Sequence, residues 1–286
     1  SFSDSLITVC QVKSWLLQLI TFIFVALENI LFLVYPIFGG FAVNAVMQGH
    51  VWQALTYALL VLVMWLIGAA RRSVDTRTFA RIYSEIAVPV IVKQRFQGQS
   101  SSSISARVAL SREFVDFFEM HLPTAITSLV SIFGACLMLL ISEFWIGVMT
   151  VVILVVFSLL LPGFTRISGR LYLALNDRLE RDVDMIGYAS ENGLRKHYGL
   201  IAYLRIKISN REAVGYLCIG IAMSILFAFS FAWLTRYGYG SAGHIYSITT
   251  YLWMFAMSLD DVPRLVESYS NLKDVANRVY IERVPS

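Results

Sequence analysis

The sequence predicts an all-α integral membrane protein with six transmembrane helices, and three observations lead to that fold class. Of the 286 residues, 57% are hydrophobic and the mean hydropathy is +0.67, whereas soluble domains are about 45–50% apolar. The apolar residues gather in six runs. All 23 Lys and Arg residues except Arg236 lie on one side of these runs, which predicts that both termini and the long connections face the cytoplasm.

The six runs cover approximately residues 14–43, 51–70, 122–142, 144–163, 213–235 and 245–262. A helix needs about 20 residues to cross about 30 Å of hydrocarbon, and five of the runs reach or approach that length. The sixth is short as an apolar run, but its helical pattern continues past Asp260. We therefore expect residues 1–286 to form a single membrane domain with six spans.

The two long connections, residues 71–121 and 164–212, do not have the composition of loops. In residues 71–95 apolar side chains recur at helical spacing, and Pro89 is expected to bend this helix. Gly98 and the serine-rich residues 100–103 then interrupt the pattern. Residues 166–189 are amphipathic, and Gly193 is predicted to break the helix before run five. Two helical hairpins should thus extend about 30 Å into the cytoplasm.

Three short motifs follow one another along this architecture. They are Ser-Ile-Ser-Ala-Arg-Val at 103–108, Gly-Ser-Ala-Gly-His-Ile at 240–245 with Leu-Asp-Asp-Val-Pro at 259–263, and Ala-Asn-Arg-Val-Tyr-Ile-Glu-Arg at 276–283. Together with the topology, they resemble the membrane domain of ABC exporters of the six-helix, domain-swapped kind. The resemblance covers nearly the whole chain. It implies a homodimer around a central cavity, since one copy alone would expose polar cavity walls to lipid.

The resemblance also implies that the hairpin tips contact ATPase domains. The corresponding tip residues in this sequence are Gln97, Gly98, Ser103, Glu191 and Gly193. An exposed linker with no partner is the alternative interpretation of these positions.

The sequence departs from the exporters in one respect, because it contains no GxxxxGK[ST] phosphate-binding loop. Without this glycine-rich cradle, its Lys and its Mg²⁺-binding hydroxyl, no ATP site is expected, and neither is enzymatic activity or a cofactor. The chain is similar in this to SbmA-like peptide uptake proteins, which share the exporter membrane fold without its ATPase. A separate ATPase subunit, or an ATPase domain in a longer protein, is the alternative.

The composition argues against nucleic-acid binding and against a metal site. The net charge of +4 and the pI near 9.0 follow from the one-sided distribution of basic residues, which meet anionic lipid at the cytoplasmic surface. No basic-aromatic nucleic-acid module is present. The three Cys and four His residues are dispersed without the spacing of a disulfide framework or of metal ligands.

Glu28 is the sharpest candidate for a functional side chain. An ionisable group inside a span costs about 2.5–3.5 kcal/mol on insertion scales and marks a functional site by default. Counted from Ser14, Glu28 lies about 21 Å along the helix and therefore near mid-bilayer. It suits proton coupling or the binding of a cationic substrate. The alternative is a structural Glu that is satisfied by a neighbouring Asn or Tyr.

A second group of candidates lies on the last span. Asp260 and Asp261 are adjacent, so they cannot share one helix face and at most one need face a cavity. Asp261 is spaced to meet Arg264, and Arg264 to meet Glu267, so an ion-pair strip on a helix that leaves the membrane is the competing interpretation. Pro263 is a candidate gating bend.

Trp253 and Phe255 precede the acidic pair on the same span. They are candidates for lining a cavity, and ordinary helix packing is the alternative.

Three functions are compatible with these features. The first is a transporter that alternates between inward- and outward-facing shapes and moves a small molecule or peptide, driven by protons acting at Glu28 and at Asp260 or Asp261. The second is a membrane subunit that serves a separate ATPase. The third is a non-transporting scaffold with a closed apolar interior. A bacterial inner membrane is the expected location.

Overall fold

The computed structural model describes residues 15–98, 101, 105, 108, 109, 112 and 115–281. Within this part the regular structure is helical. The helices are α1 (Trp15–Met47), α2 (Val51–Phe96), a π-helical turn (Phe117–His121), α3 (Leu122–Ser142), α4 (Phe144–Glu180), α5 (Asp182–Tyr188), α6 (Glu191–Tyr237) and α7 (Ala242–Ile281). The all-α fold class is confirmed.

Several helices are much longer than the apolar runs from which they were predicted. The 46 residues of α2 and the 47 of α6 correspond to about 70 Å each, more than twice the hydrocarbon thickness of about 30 Å. A large part of each helix must therefore lie outside a bilayer. The lengths of α2, α4 and α6 agree with the prediction that runs two, four and five continue as helical arms, whereas the arm predicted for run three lies mostly outside the described residues.

Five helices are long and apolar enough to cross a membrane, judged by length and composition within the described residues. They cover Leu19–Met47, Val51–Pro89, Phe117–Ser142, Phe144–Leu179 and Glu191–Tyr237. Helix α7 is not among the five, although it does continue past Asp260 to Ile281. The most apolar stretch of α2 contains no buried residue, as expected for a surface that faces lipid or a partner.

The described residues belong to two compact units. The first contains α1, α2, the π-helical turn, α3 and α7. Its core forms where α7 packs on α1 and α3. The most deeply buried residues of α7 lie along one stripe of the helix, as in a helix that packs along one face; they are Ile248, Tyr251, Leu252, Phe255 and Leu259.

Small residues of α3 allow this packing to be close. Ser128, Ser131 and Ala135 are buried, and a side chain at Gly134 would collide with Leu33 of α1. Small residues at a helix interface let backbones approach within a membrane protein.

The second unit consists of α4, α5 and α6. Helices α4 and α6 form a hairpin, and Leu175 of α4 packs with Ile201 and Ile208 of α6. Arg211 extends this contact, because its guanidinium donates to the Phe164 carbonyl at 3.1 Å and stacks over the Phe164 ring. The predicted pairing of runs four and five as one hairpin therefore agrees with the structure.

Of the two helix breaks predicted at the hairpin tips, one is confirmed and the other is wrong. Gly98 follows the end of α2 with φ +68°, a left-handed conformation that favours glycine, so the break there is confirmed. The predicted break at Gly193 is wrong. The chain leaves the helix at Arg181 and again at Ala189 and Ser190, and Ser190 Oγ accepts the Gly193 N–H at 3.3 Å. This capping contact starts α6 before Gly193.

Candidate functional site

A cluster of charged side chains joins α1 to α2 near the end of the second apolar run. The guanidinium of Arg71 donates through Nε to Glu28 Oε2 of α1. Through Nη1 it also donates to Asp75 Oδ2, one turn further along α2, at 2.9 Å. One cation thus serves two carboxylates, so the three side chains together carry a charge of −1 when all are ionised.

Burial increases across this cluster from Glu28 to Asp75. The exposed fraction of the side chain is 34% for Glu28, 19% for Arg71 and 6% for Asp75. Removing a charge from water is costly unless it is paired. The excess negative charge is therefore most costly at Asp75, the most deeply buried of the three.

Two oxygens beside the cluster have no hydrogen-bond partner among the described residues, namely Asp75 Oδ1 and Thr21 Oγ1. The Thr21 hydroxyl lies close enough to the Asp75 carboxylate to interact with it, but the two groups do not form a hydrogen bond of ordinary geometry. Other buried polar groups nearby are satisfied, since Asn29 and Thr78 donate to main-chain carbonyls of their own helices at 2.8 Å. The unpartnered oxygens are thus specific to the Thr21–Asp75 contact.

The pairing of α1 with α2 fixes the position of Glu28 relative to the turn between the helices. Glu28 lies about 19 residues before the end of α1 and Arg71 about 20 residues after the start of α2, which is about 28–30 Å from the turn. That distance is close to one hydrocarbon thickness. The expectation that Glu28 lies near mid-bilayer came from counting residues from Ser14. Counting from the turn instead places Glu28 near the edge of the hydrocarbon that is opposite the turn.

The π-helical turn brings further charge towards Asp75. It contacts α2, and Glu119 within it lies in electrostatic range of Asp75, Asp116 and Arg112. Arg112 and Asp116 form an exposed ion pair at 3.7 Å. Single π-helical turns inserted in α-helices are frequent at functional sites.

The acidic pair of α7 is less enclosed than the Arg71 cluster. Asp260, Asp261 and Glu267 are half-buried, and Arg264 is exposed. Asp260 lies within electrostatic range of Asp261 and of Arg264. Pro263 lies inside α7, which continues through it.

The two aromatic candidates on α7 point in different directions. Phe255 is fully buried in the core of the first unit, whereas 53% of Trp253 is exposed. Phe255 therefore occupies a packing position, and Trp253 lies largely at the surface of the first unit. A role in a substrate pathway remains a prediction for both residues.

The contact between α1 and α7 is built from glycines and hydroxyls. A side chain at Gly243 would collide with the Gly40 carbonyl. Ser247 donates to the Pro36 carbonyl at 2.8 Å, and Tyr251 donates to the Leu33 carbonyl at 2.6 Å. Both hydroxyls of α7 thus donate to main-chain carbonyls beside Pro36, where a proline inside the helix disturbs the backbone hydrogen bonds.

A buried histidine connects α5 with α6 at the second hairpin tip. His197 of α6 is 2% exposed, and its Nε2 lies 3.0 Å from Asp182 Oδ1 of α5. Tyr188 at the end of α5 is 93% exposed, and Ile186 beside it is exposed as well. The short helix α5 is thus anchored on one side and presents apolar side chains on the other.

The remaining tip candidates lie on exposed surface or outside the described residues. Gln97 and Gly98 are exposed after α2, and Glu191 is exposed in the first turn of α6, where it pairs with Arg195 at 2.9 Å. Gly193 is half-buried in the same turn. Ser103 lies outside the described residues. Contact of these positions with an ATPase remains a prediction.

Sequence reasoning missed Arg71 and Asp75 as members of the site. It treated Arg71 only as part of the one-sided basic pattern and did not consider Asp75. A signal was present, because the two residues are four positions apart at the end of an apolar run, where i,i+4 side chains share a helix face. Among the residues that the structure describes, no group of three His, Cys, Asp or Glu side chains is placed to hold a metal ion.

Comparison with known proteins assigns the chain to a family. A family model described as an ABC transporter transmembrane region matches residues 9–243. No curated protein matches the chain. The match covers most of the chain and contains no other domain, in agreement with the apolar helices and the hairpins described above. The chain therefore belongs to the ABC transporter transmembrane family, and it is an integral membrane protein with a role in membrane transport.

Proposed function

We propose that the chain forms a homodimer with six spans per copy, which alternates between inward- and outward-facing shapes and moves a small molecule or peptide. Family membership supports the transport role, and the large exposed apolar surface of α2 supports contact with lipid and with a second copy. The α4–α6 hairpin is the element that the second copy would receive in a domain-swapped dimer. The membrane is proposed to be a bacterial inner membrane with both chain termini in the cytoplasm.

We further propose that a proton gradient drives transport, and the observation that carries this proposal is the sharing of Arg71 between Glu28 and Asp75. A three-member cluster with a net negative charge can gain or lose a proton without separating every ion pair. Ionisable groups at such positions in membrane proteins mark proton relays. The half-buried Asp260 or Asp261 is a second candidate on the pathway.

The test is a flux measurement in proteoliposomes with an imposed pH gradient. A defined mixture of isotope-labelled tri- to pentapeptides is the probe, and mass spectrometry of the vesicle lumen identifies what enters. We expect uptake that depends on the gradient and is lost in Glu28→Gln. The control is Glu85→Gln, an exposed carboxylate of the neighbouring helix α2, which should leave uptake unchanged. Uptake that is the same with and without the gradient, and the same in Glu28→Gln as in the unmodified protein, would reject proton coupling.

A second candidate function, a membrane subunit that serves a separate ATPase, is favoured by one observation. The apolar side chains Ile186 and Tyr188 are exposed on α5, which His197 and Asp182 hold in place. Exposed apolar side chains on an anchored element suit protein docking. Affinity purification from native membranes should then recover a stoichiometric ATPase that is lost in Tyr188→Ser. Recovery of no ATPase, or of one that is indifferent to this change, would argue against the subunit role.

A further inference from the structure

Asp75 differs from the other charged groups of the α1–α2 interface because one of its two carboxylate oxygens accepts no hydrogen bond from the described residues. Oδ2 receives Arg71 at 2.9 Å, whereas Oδ1 is buried and has no hydrogen-bond partner among the described residues. An unsatisfied buried acceptor destabilises a structure, and it does so more strongly when it is charged. A proton or a hydrogen-bond donor at Oδ1 would remove this destabilising effect.

The charges that face Asp75 also favour the addition of one positive charge. Arg71 on its own helix is the single cation of the cluster, and Glu28 on α1 competes for it. Glu119 on the π-helical turn adds a third carboxylate in electrostatic range, itself influenced by Asp116 and Arg112. One proton on Asp75 brings the Glu28–Arg71–Asp75 group from −1 to neutral.

We propose that Asp75 is the carboxylate that takes up the proton, with Thr21 as its hydrogen-bond partner and Glu28 as the group that retains Arg71. This inference rests on the proposed proton-driven transport and names the residue at which the proton binds. A hydronium ion gives up one of its O–H bonds and becomes water, its proton forms an O–H bond at Asp75 Oδ1, and the new O–H donates to Thr21 Oγ1. The neutral carboxyl then holds Arg71 less strongly, so the guanidinium pairs with Glu28 alone.

The proposal differs from one in which a metal cation binds here. Hard cations such as Ca²⁺ are held by six to eight oxygens, whereas only Asp75 Oδ1 and Thr21 Oγ1 are unpartnered at this place among the described residues. A proton needs only one acceptor and one neighbour. Asp75 lies about 36 Å from the start of α2, beyond one hydrocarbon thickness, so the proton is exchanged at the cytoplasmic edge of the hydrocarbon in the proposed topology.

The experiment measures proton binding directly and needs no substrate. Infrared difference spectra of the full chain in lipid nanodiscs are recorded during a pH titration, and the carbonyl band of a protonated carboxyl is followed. We expect one buried carboxyl to titrate in the unmodified protein and its band to be absent in Asp75→Asn. In Thr21→Val the band should shift in frequency because its hydrogen-bond partner is gone. In Glu28→Gln the band should remain, with its midpoint at lower pH because Arg71 then serves Asp75 alone.

Matched variants keep the result interpretable. Glu85→Gln removes an exposed carboxylate of the same helix and should leave the buried band in place, and Asp75→Glu should restore a titrating band. Circular dichroism and gel filtration establish that each variant is folded. Loss of the band in Glu28→Gln with retention in Asp75→Asn would overturn the proposal, as would a band that appears in neither the unmodified protein nor Asp75→Glu. A band position that depends on Na⁺ at constant pH would also overturn it.

The infrared experiment and the flux experiment test different proposals, so either proposal can be rejected while the other stands. A titrating Asp75 in a protein without peptide flux would leave the proton site standing and reject the proposed transport. Gradient-driven flux in a protein whose Asp75 does not titrate would reject this inference and leave transport standing.

Discussion

The backbone N–H of Gly243 donates to Oδ1 of Asn44 at 2.9 Å, so a side chain of α1 caps the first turn of α7. The Asn44 amide also donates through Nδ2 to Ser241 Oγ at 3.1 Å, and that hydroxyl accepts the N–H of His244 at 3.2 Å. The first N–H groups of a helix have no partner within it. Asn44 and Ser241 therefore satisfy two of them and hold the start of α7 against the end of α1.

Replacement of Asn44 by Ala is expected to lower the stability of the protein. It leaves the Gly243 N–H and the Ser241 hydroxyl without their partner, and loss of a helix cap costs about 0.5–2 kcal/mol. The measurement is the apparent melting temperature in detergent, followed by tryptophan fluorescence. Gln48→Ala, an exposed position just beyond α1, is the control. Equal melting temperatures for the two variants would show that the Asn44 contacts contribute nothing.

Replacement of Gly243 by Ala is expected to be more disruptive, because the added methyl group would collide with the Gly40 carbonyl and the Asn44 side chain. Overpacking of this kind costs about 1–3 kcal/mol. Gly199→Ala is the control, since a methyl group there meets no atom within 4 Å and Ala is the better helix former. Gly243→Ala should melt at a lower temperature than the parent and Gly199→Ala at the same or a higher one. A Gly243→Ala protein as stable as the parent contradicts the close contact of α1 and α7.

Replacement of Arg71 by Ala is expected to destabilise the protein through its effect on Asp75. The buried Asp75 carboxylate would be left unpaired, and removing one partner of a buried ion pair costs about 3–5 kcal/mol. We expect a loss of stability at the low end of this range because Glu28, the other carboxylate that Arg71 binds, is one-third exposed. Combining Arg71→Ala with Asp75→Asn should recover most of the loss, since it removes the unpaired charge. If the double variant is as unstable as Arg71→Ala, the penalty does not come from the charge of Asp75.

The proposed topology predicts opposite labelling of two engineered cysteines. In a background with the native Cys10, Cys136 and Cys218 replaced by Ser or Ala, Gln48→Cys lies in the turn after α1 and Asn192→Cys at the second hairpin tip, both exposed. A membrane-impermeant maleimide applied to intact cells should label the first and spare the second until the membrane is permeabilised. Labelling of Asn192→Cys from outside would place the hairpins on the other side.

Much of the fold was accessible from the sequence because it depends on local, one-dimensional properties. Hydropathy and helical periodicity predicted the helices and the continuation of α7 past Asp260, and the glycine and serines that interrupt the helical pattern predicted the break at Gly98. The break at Gly193 failed because the Ser190 side chain caps α6 two residues earlier, a contact that composition alone does not indicate. The one-sided charge pattern likewise predicted that both termini and the long connections face the cytoplasm.

What the tertiary structure decided is which distant side chains meet. The partner of Glu28 is Arg71, 43 residues away, and the partner of Gly243 is Asn44, 199 residues away. Such pairs depend on the rotation and register of packed helices, which periodicity within a single helix does not determine. The sequence by itself determined a helical membrane protein with candidate charges in its spans. Only the packing of α1 on α2 showed that Glu28 shares its cation with the more deeply buried Asp75, because burial and partner choice are properties of the assembled interface.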